Sequence, residues 1–294
     1  MKSGFVTLVG RPNVGKSTLL NSIIGKKIAI TSSKPQTTRN VIQGIYTKDD
    51  MQIVFVDTPG IHKPNHKLGE YLNRQAYCSI NDVDIIMMLV DASDALGPGD
   101  KFIIEKLKDI DKPVILIMNK IDKMTKEEII KKIEEYKDLY SFSEIIPASA
   151  LKSNNIKEII KVLETYLPDS VKFYDDETIT NKPLSFLISE IVREKVFNLT
   201  KEEIPHSVAC YLEKIEHNAN NSVINVCIVV DRENLKKIIL GKQGSMIKEI
   251  GIKARKDLEV LLDKTVYLEL YVKVIKKWRD KEKYLSEFGY NDFE

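Results

Sequence analysis

The stretch GRPNVGKS, residues 10–17, decides the fold. It fits the pattern G-x-x-x-x-G-K-[S/T], in which a glycine-bracketed loop turns its backbone N–H groups inward on a phosphate chain. An apolar run, 5–9, leads into it, and a helical stretch beginning near Lys16 leads out. The loop therefore sits at a strand-to-helix turn, where the helix N-terminus adds partial positive charge at the same spot. In that setting Lys16 reaches the β- and γ-phosphates and the Ser17 hydroxyl ligates Mg²⁺. The motif alone also occurs by chance in unrelated loops; its strand and helix give it weight.

Working outward, further apolar runs at 53–56, 85–90, 114–118 and 144–147 alternate with amphipathic stretches such as Ile129, Ile130, Ile133 and Tyr136. That alternation predicts an α/β domain with a mostly parallel sheet wrapped by helices. A more polar run, 41–47, is expected as an edge strand antiparallel to 51–56.

Three short motifs follow the loop in order. DTPG (57–60) closes a strand, which places Asp57 beside the phosphates to hold Mg²⁺ through a water and Gly60 where its N–H senses the γ-phosphate. NKID (119–122) closes another strand. The Asp122 carboxylate can accept from both N1–H and the exocyclic amine of guanine, a donor pair that adenine lacks and without which the carboxylate stays unpaired. SAL (149–151) offers the Ala150 N–H to the guanine O6, and Lys120 can lie along the ring. The expected nucleotide contacts are Gly10, Arg11, Pro12, Asn13, Val14, Gly15, Lys16, Ser17 and Thr18 of the loop. They continue with Asp57, Thr58, Pro59, Gly60 and Ile61, then Asn119, Lys120 and Asp122, then Ser149, Ala150 and Leu151.

QTTR (36–39) lies where a switch loop belongs. A threonine there can give its hydroxyl to Mg²⁺ and its N–H to the γ-phosphate, contacts that vanish on hydrolysis. Thr38 is favoured over the adjacent Thr37. The residue after Gly60 is Ile61, which can neither orient nor polarise water as the glutamine of Ras-like enzymes does. The expectation is slow intrinsic GTP hydrolysis, raised by a partner or a monovalent cation. Asn13 is the candidate to hold that cation, K⁺, or else to shape the loop through a hydrogen bond. The residues assigned to catalysis are Lys16, Thr38, Gly60 and Asn13, and those assigned to the metal are Ser17, Thr38 and Asp57.

At 294 residues and 43% hydrophobic content the chain has the size of about two globular domains with ordinary cores. No apolar run approaches the ~20 residues that span a bilayer, and no leader precedes the first strand, so a cytoplasmic location is expected. The scattered Cys78, Cys210 and Cys227 fit core packing in a reducing compartment. His62 and His66 are four apart but flank Pro64, which argues against a helical metal site. His206 and His217 read as strand-end packing.

The segment LPDSVKFYDDETITNKP (167–183), with two prolines, clustered acids and no periodicity, reads as an extended linker. The expected division is 1–167, linker 168–183, and 184–294. The second domain reads as a helix at 184–197 and strands around Val208–Leu212 and Ile224–Val230. A helix at 234–240, the sequence GKQG, a helix through Ile247–Leu261 and an alternating strand at 266–274 complete it. No internal repeat occurs, which excludes tandem nucleotide domains.

GKQG (Gly241, Lys242, Gln243, Gly244) between two amphipathic helices and upstream of a strand is the layout of a KH domain, whose G-x-x-G loop clamps a single-stranded nucleic-acid backbone. Residues 232–283 carry 15 Lys+Arg against 8 Asp+Glu, whereas residues 1–180 balance at 25 each. Such a local surplus suits a polyanion. Lys236, Gly241, Lys242, Gln243, Gly244, Ser245 and Lys248 are the expected RNA contacts, with Lys237, Lys253 and Arg255 adding charge and Ile239 and Ile247 as a groove floor.

The assembled motifs GRPNVGKS, QTTR, DTPGIHKP and NKID resemble the G domain of the Era family of bacterial GTPases. The stretches SEIVREKVFNLTKEEIPHSVA (189–209) and WRDKEKYLSEFGY (278–290) resemble that family in particular. The resemblance covers essentially the whole chain. It implies a P-loop GTPase domain followed by an α+β KH domain of type II. It further implies GTP and GDP as ligands, binding of a monomer to the 3′ region of 16S ribosomal RNA, and a part in 30S subunit assembly and rRNA maturation. Peripheral association with the inner face of the cell membrane is also implied. Two rivals are weighed beside it: a GTPase of tRNA modification or membrane traffic, whose relatives carry different flanking domains, and a non-catalytic RNA-binding scaffold that merely holds GTP.

Overall fold

The apolar runs become strands with few exceptions. In the computed structural model, which describes residues 1–32, 40–58, 82–200, 204, 207–218 and 220–288, the first sheet holds β1 (Lys2–Val9), β2 (Ile42–Lys48), β3 (Met51–Asp57), β4 (Ile85–Asp91), β5 (Val114–Asn119) and β6 (Glu144–Pro147). Its order is β2-β3-β1-β4-β5-β6. All neighbours run parallel except β2 and β3, which form an antiparallel hairpin across Asp49–Asp50, with Asp49 at φ 51°. The β4 and β5 runs IIMMLVD and VILIMN are buried throughout because helices cover both faces of a parallel sheet.

Among the described residues the helices of this unit are α1 (Lys16–Ile24), α2 (Pro98–Leu107), α3 (Lys126–Lys137) and α4 (Ile156–Tyr166). Ile103, Ile104 and Leu107 of α2 and Tyr136 of α3 share one core with Ile86, Met88, Val90, Leu116 and Met118. A Thr125–Glu128 capping box starts α3: the Glu128 carboxylate accepts from the Thr125 N–H at 2.8 Å, and the Thr125 hydroxyl accepts from the Glu128 N–H at 3.3 Å.

The stretch expected as a linker is extended, but it is sewn to this first unit, which runs to Asn181. Ser3 Oγ donates to the Val171 carbonyl at 2.7 Å, and Ile45 N–H donates to Ile179 O at 2.9 Å. The fully buried Gln52 accepts from the N–H groups of Phe173 and Tyr174 at 2.8 and 3.0 Å and donates to Tyr174 O at 2.8 Å. The reason is that β2 is an edge strand whose outward N–H groups need partners, and the strap supplies them. Prolines and acids marked its extended shape; they said nothing of the edge it covers.

The second unit contains α5 (Leu184–Leu199), β7 (Ala209–His217), β8 (Asn221–Val230), α6 (Glu233–Leu240), α7 (Ser245–Leu262), β9 (Thr265–Val274) and α8 (Glu282–Glu287). Its sheet order is β7-β8-β9, with β7 antiparallel and β9 parallel to β8. A parallel pair needs a long crossover, and α6, GKQG and α7 provide it. Ile188, Val192, Val226, Ile228, Ile250, Ala254 and Leu258 build the core between helices and sheet. Ile239, expected as groove floor, is fully buried in that core instead, since it lies on the inward stripe of α6. After β9 the buried Trp278 donates from Nε1 to Ser207 O at 3.0 Å, and Arg279 pairs with Asp231 at 2.7 Å. The two described cysteines, Cys210 and Cys227, are buried, and His217 Nδ1 lies 3.1 Å from Ser222 Oγ. Cys78, His62, His66 and His206 lie outside the described residues.

Candidate nucleotide and RNA sites

The sheet's chain path reverses at β1, which has β3 on one side and β4 on the other. Ligands of open α/β sheets sit beyond the carboxyl ends of the strands at such a point, and the phosphate loop lies there. Its backbone is unusual: Asn13 has φ 66° and Gly15 φ 104°. A Cβ on Gly15 would fall on the Asn119 side-chain amide, and one on Gly10 would come within 2.5 Å of the Leu89 carbonyl oxygen. Both glycines are therefore required by space as well as by conformation.

Lys16 is 7% exposed, and its Nζ donates to the carbonyls of Gly10 at 3.1 Å and Arg11 at 3.3 Å. Burial pushes its pKa down, and the Asp57 carboxylate only partly opposes this. A buried ammonium of this kind is completed by an anion. Ser17 Oγ donates to Asp57 Oδ2 at 2.7 Å, both residues being buried. These two oxygens suit a hard cation such as Mg²⁺. The Thr58 hydroxyl donates to Leu8 O at 3.1 Å and ties the end of β3 to β1. Thr38, Pro59, Gly60 and Ile61, together with Thr37, lie outside the described residues.

On the far side, Asn119 joins two loops. Its Nδ2 donates to Val14 O at 2.7 Å, and its Oδ1 accepts from the Ala150 N–H at 2.9 Å. Lys120, at φ 67°, sends its ammonium to Asn13 O at 2.8 Å. Ser149 Oγ donates to Asp122 Oδ1 at 2.5 Å and accepts from the Lys152 N–H at 3.2 Å. Ser149 is thus a buried post that aims an exposed carboxylate, while Leu151 stands 73% exposed. The loop, NKID and SAL segments, far apart in sequence, meet here.

Sequence reading missed two acids at this site. Asp91 closes β4 and accepts from Lys120 Nζ at 2.5 Å, and from the Ser93 N–H and hydroxyl at 3.1 and 2.6 Å. Burial would raise its pKa, but the lysine and serine bonds outweigh burial and hold it below the usual value. Asp100, fully buried on α2, accepts from Arg11 Nε at 2.8 Å and from the Gly97 N–H at 3.2 Å. The usable signal for Asp91 was positional: it ends a strand in register with Asn119.

In the second unit, GKQG protrudes. Lys242 and Gln243 are exposed, Gln243 has φ 50°, and Gly241 and Gly244 have φ 72° and 77°. A Cβ on Gly241 would come 2.7 Å from the Met246 backbone nitrogen, whereas one on Gly244 meets nothing within 4 Å. Ser245 and Lys248 are exposed on the first turn of α7, and Lys236 of α6 is half-buried. Lys253 and Arg255 are paired with Glu249 at 2.9 Å and Glu259 at 3.8 Å, so part of the expected positive charge is answered on α7 itself. Ile247 is half-buried.

Residues 5–120 match the family described as 50S ribosome-binding GTPase, and residues 203–279 match the KH domain family. A crystal structure of Era in complex with MgGDPNP and nucleotides 1506–1542 of 16S ribosomal RNA is similar at 43% identity, covering 99% of both chains with a TM-score of 0.94. The same identity, coverage and TM-score hold for a variant of Aquifex aeolicus Era bound to GDP and aluminium fluoride. With the phosphate loop, the guanine-type loops and the G-x-x-G crossover all in place, this chain belongs to the Era family of GTPases.

Proposed function

We propose that the protein hydrolyses GTP slowly, binds the 3′ region of 16S rRNA through its KH unit, and couples the nucleotide state to 30S subunit assembly and rRNA maturation. One observation carries the reading: the 43% identity extends over 99% of both chains to a protein crystallised with both MgGDPNP and that RNA.

In this reading Lys16 and the N–H groups of residues 13–18 receive the β- and γ-phosphates, neutralising charge as the terminal bond breaks. Ser17, Asp57 through a water, and Thr38 would hold Mg²⁺, which would neutralise phosphate charge. Asp122, aimed by Ser149, accepts from guanine; the Ala150 N–H, which here donates to Asn119 Oδ1 at 2.9 Å, exchanges that acceptor for the guanine O6. Ile61 brings no water-orienting group, so turnover is slow until the RNA, the subunit or a K⁺ ion held at Asn13 assists. GKQG, Ser245, Lys236 and Lys248 hold the RNA backbone. The family resemblance extends the proposal to a cytoplasmic monomer that associates peripherally with the membrane. No helix among the described residues is long and apolar enough to cross one.

The test is titration of a labelled 16S 3′-end RNA with the full chain in Mg²⁺ plus GDPNP, GDP or neither, alongside phosphate release with and without 30S subunits. Tighter RNA binding in one nucleotide state and faster release with subunits are expected. Equal RNA affinity in all states, with unchanged release, would refute the coupling.

A further inference from the structure

Asp91 belongs to none of the motifs that bind nucleotide, yet it lies beneath them. It is 6% exposed at the end of β4, beside Asn119 in the sheet register. Its Oδ1 is fixed by two bonds from Ser93, and this aims Oδ2 at Lys120. The Lys120 ammonium lies between Asp91 and the Asn13 carbonyl, the residue at φ 66° in the middle of the phosphate loop. A lysine side chain free in solvent samples many rotamers. This one is held at its tip by a carboxylate and a carbonyl, so its stem is stretched along one path. Two surfaces are thereby set by one ion pair: the stem that lies along the base, and the curvature of the loop that takes the phosphates.

We propose that Asp91 is a positioning residue for guanine nucleotide, acting through Lys120 to hold both the base platform and the Asn13 peptide in their binding geometry. The inference rests on the guanine-site reading above. It touches no reacting atom and predicts an effect on affinity that exists only while Lys120 is present. An acid with a general stabilising role would instead act whether or not Lys120 was there.

The experiment is calorimetric titration of GDP, with saturating Mg²⁺, into the full-length wild type, Asp91→Asn, Lys120→Ala and the double variant, each checked for native circular dichroism. Losing a hydrogen bond to a charged group is worth about tenfold or more in affinity. Asp91→Asn and Lys120→Ala are each expected to weaken GDP by about that factor, and the double variant to bind no more weakly than Lys120→Ala. Unchanged affinity in Asp91→Asn, or a loss that adds in full to that of Lys120→Ala, would overturn the inference while leaving the guanine site standing. Wild-type affinity in Lys120→Ala would overturn the site reading and this inference with it. Should Asp91→Asn fail to fold, Ser93→Ala is the substitute. It removes the hydroxyl bond to Asp91 Oδ1 while keeping the backbone N–H bond and the charge, and is expected to weaken GDP about threefold, no change being the refuting result.

Discussion

The chain carries two glycine-bracketed loops that lead into helices, and under the proposed function they would grip phosphate in opposite ways. The loop at 10–17 is braced from outside: Asn119, Lys120 and, through Arg11, Asp100 all hold it, and its lysine is buried. The loop at 241–244 is held mainly by its own turn, Gly244 N–H to Gly241 O at 3.3 Å, with Lys242 in solvent. A small polyanion must be enclosed completely to be recognised, so its loop needs rigid walls. A polymer backbone runs past its clamp and brings affinity from many contacts, so exposure suffices.

The largest break in this comparison is Lys16→Ala. It should lower kcat/KM for GTP by about a hundred- to a thousandfold, as loss of a buried charge-stabilising donor does, while RNA binding measured without nucleotide stays intact. Next come the two glycines. Gly15→Ala meets the Asn119 amide at φ 104° and should weaken GDP about a hundredfold and lower the urea midpoint. Gly244→Ala, with open space around it, carries only the left-handed penalty of about 1–2 kcal/mol. Similar stability losses in the two would mean that the loops are equally braced. Replacing Lys242 and Gln243 together with Asp should cut RNA affinity about tenfold at low salt with GTP binding unchanged. Lys242→Ala alone should flatten the salt slope by about 0.7, read by fluorescence anisotropy.

The smallest effect concerns pH. Burial raises the Asp91 pKa, the Lys120 and Ser93 bonds overcome that, and the net value lies below 3.8. A carboxyl depressed by folding stabilises the native state above its unfolded pKa, and this contribution is lost as pH falls through the folded value. The stability gap between wild type and Asp91→Asn should therefore be flat near neutrality and close only beneath pH 3.8. A gap that closes near pH 6 would mean a different group is titrating.

Strand positions and the segments that meet at the nucleotide were legible because a period of two and short motifs are local signals. Ile239 was misjudged because helical spacing places a residue on a stripe without saying that the stripe faces the sheet. Asp100 went unseen because its partner Arg11 is 89 positions away, and no motif links them. The edge at β2 was expected from its polar run, but the strap's covering of it rests on pairings such as Ile45 with Ile179, so distant in sequence that no local signal links them.

That strap also sets an order of events. Ser3, in β1, finds its hydroxyl acceptor at Val171, 168 positions later, and the edge strand β2 waits for residues near 180. Chains are synthesised from the N-terminus and fold as units complete themselves. This sheet can collapse early, but its border closes only when the last stretch before the second unit has been added. Contacts so distant in sequence slow folding, so the border of this sheet is expected to form after its centre.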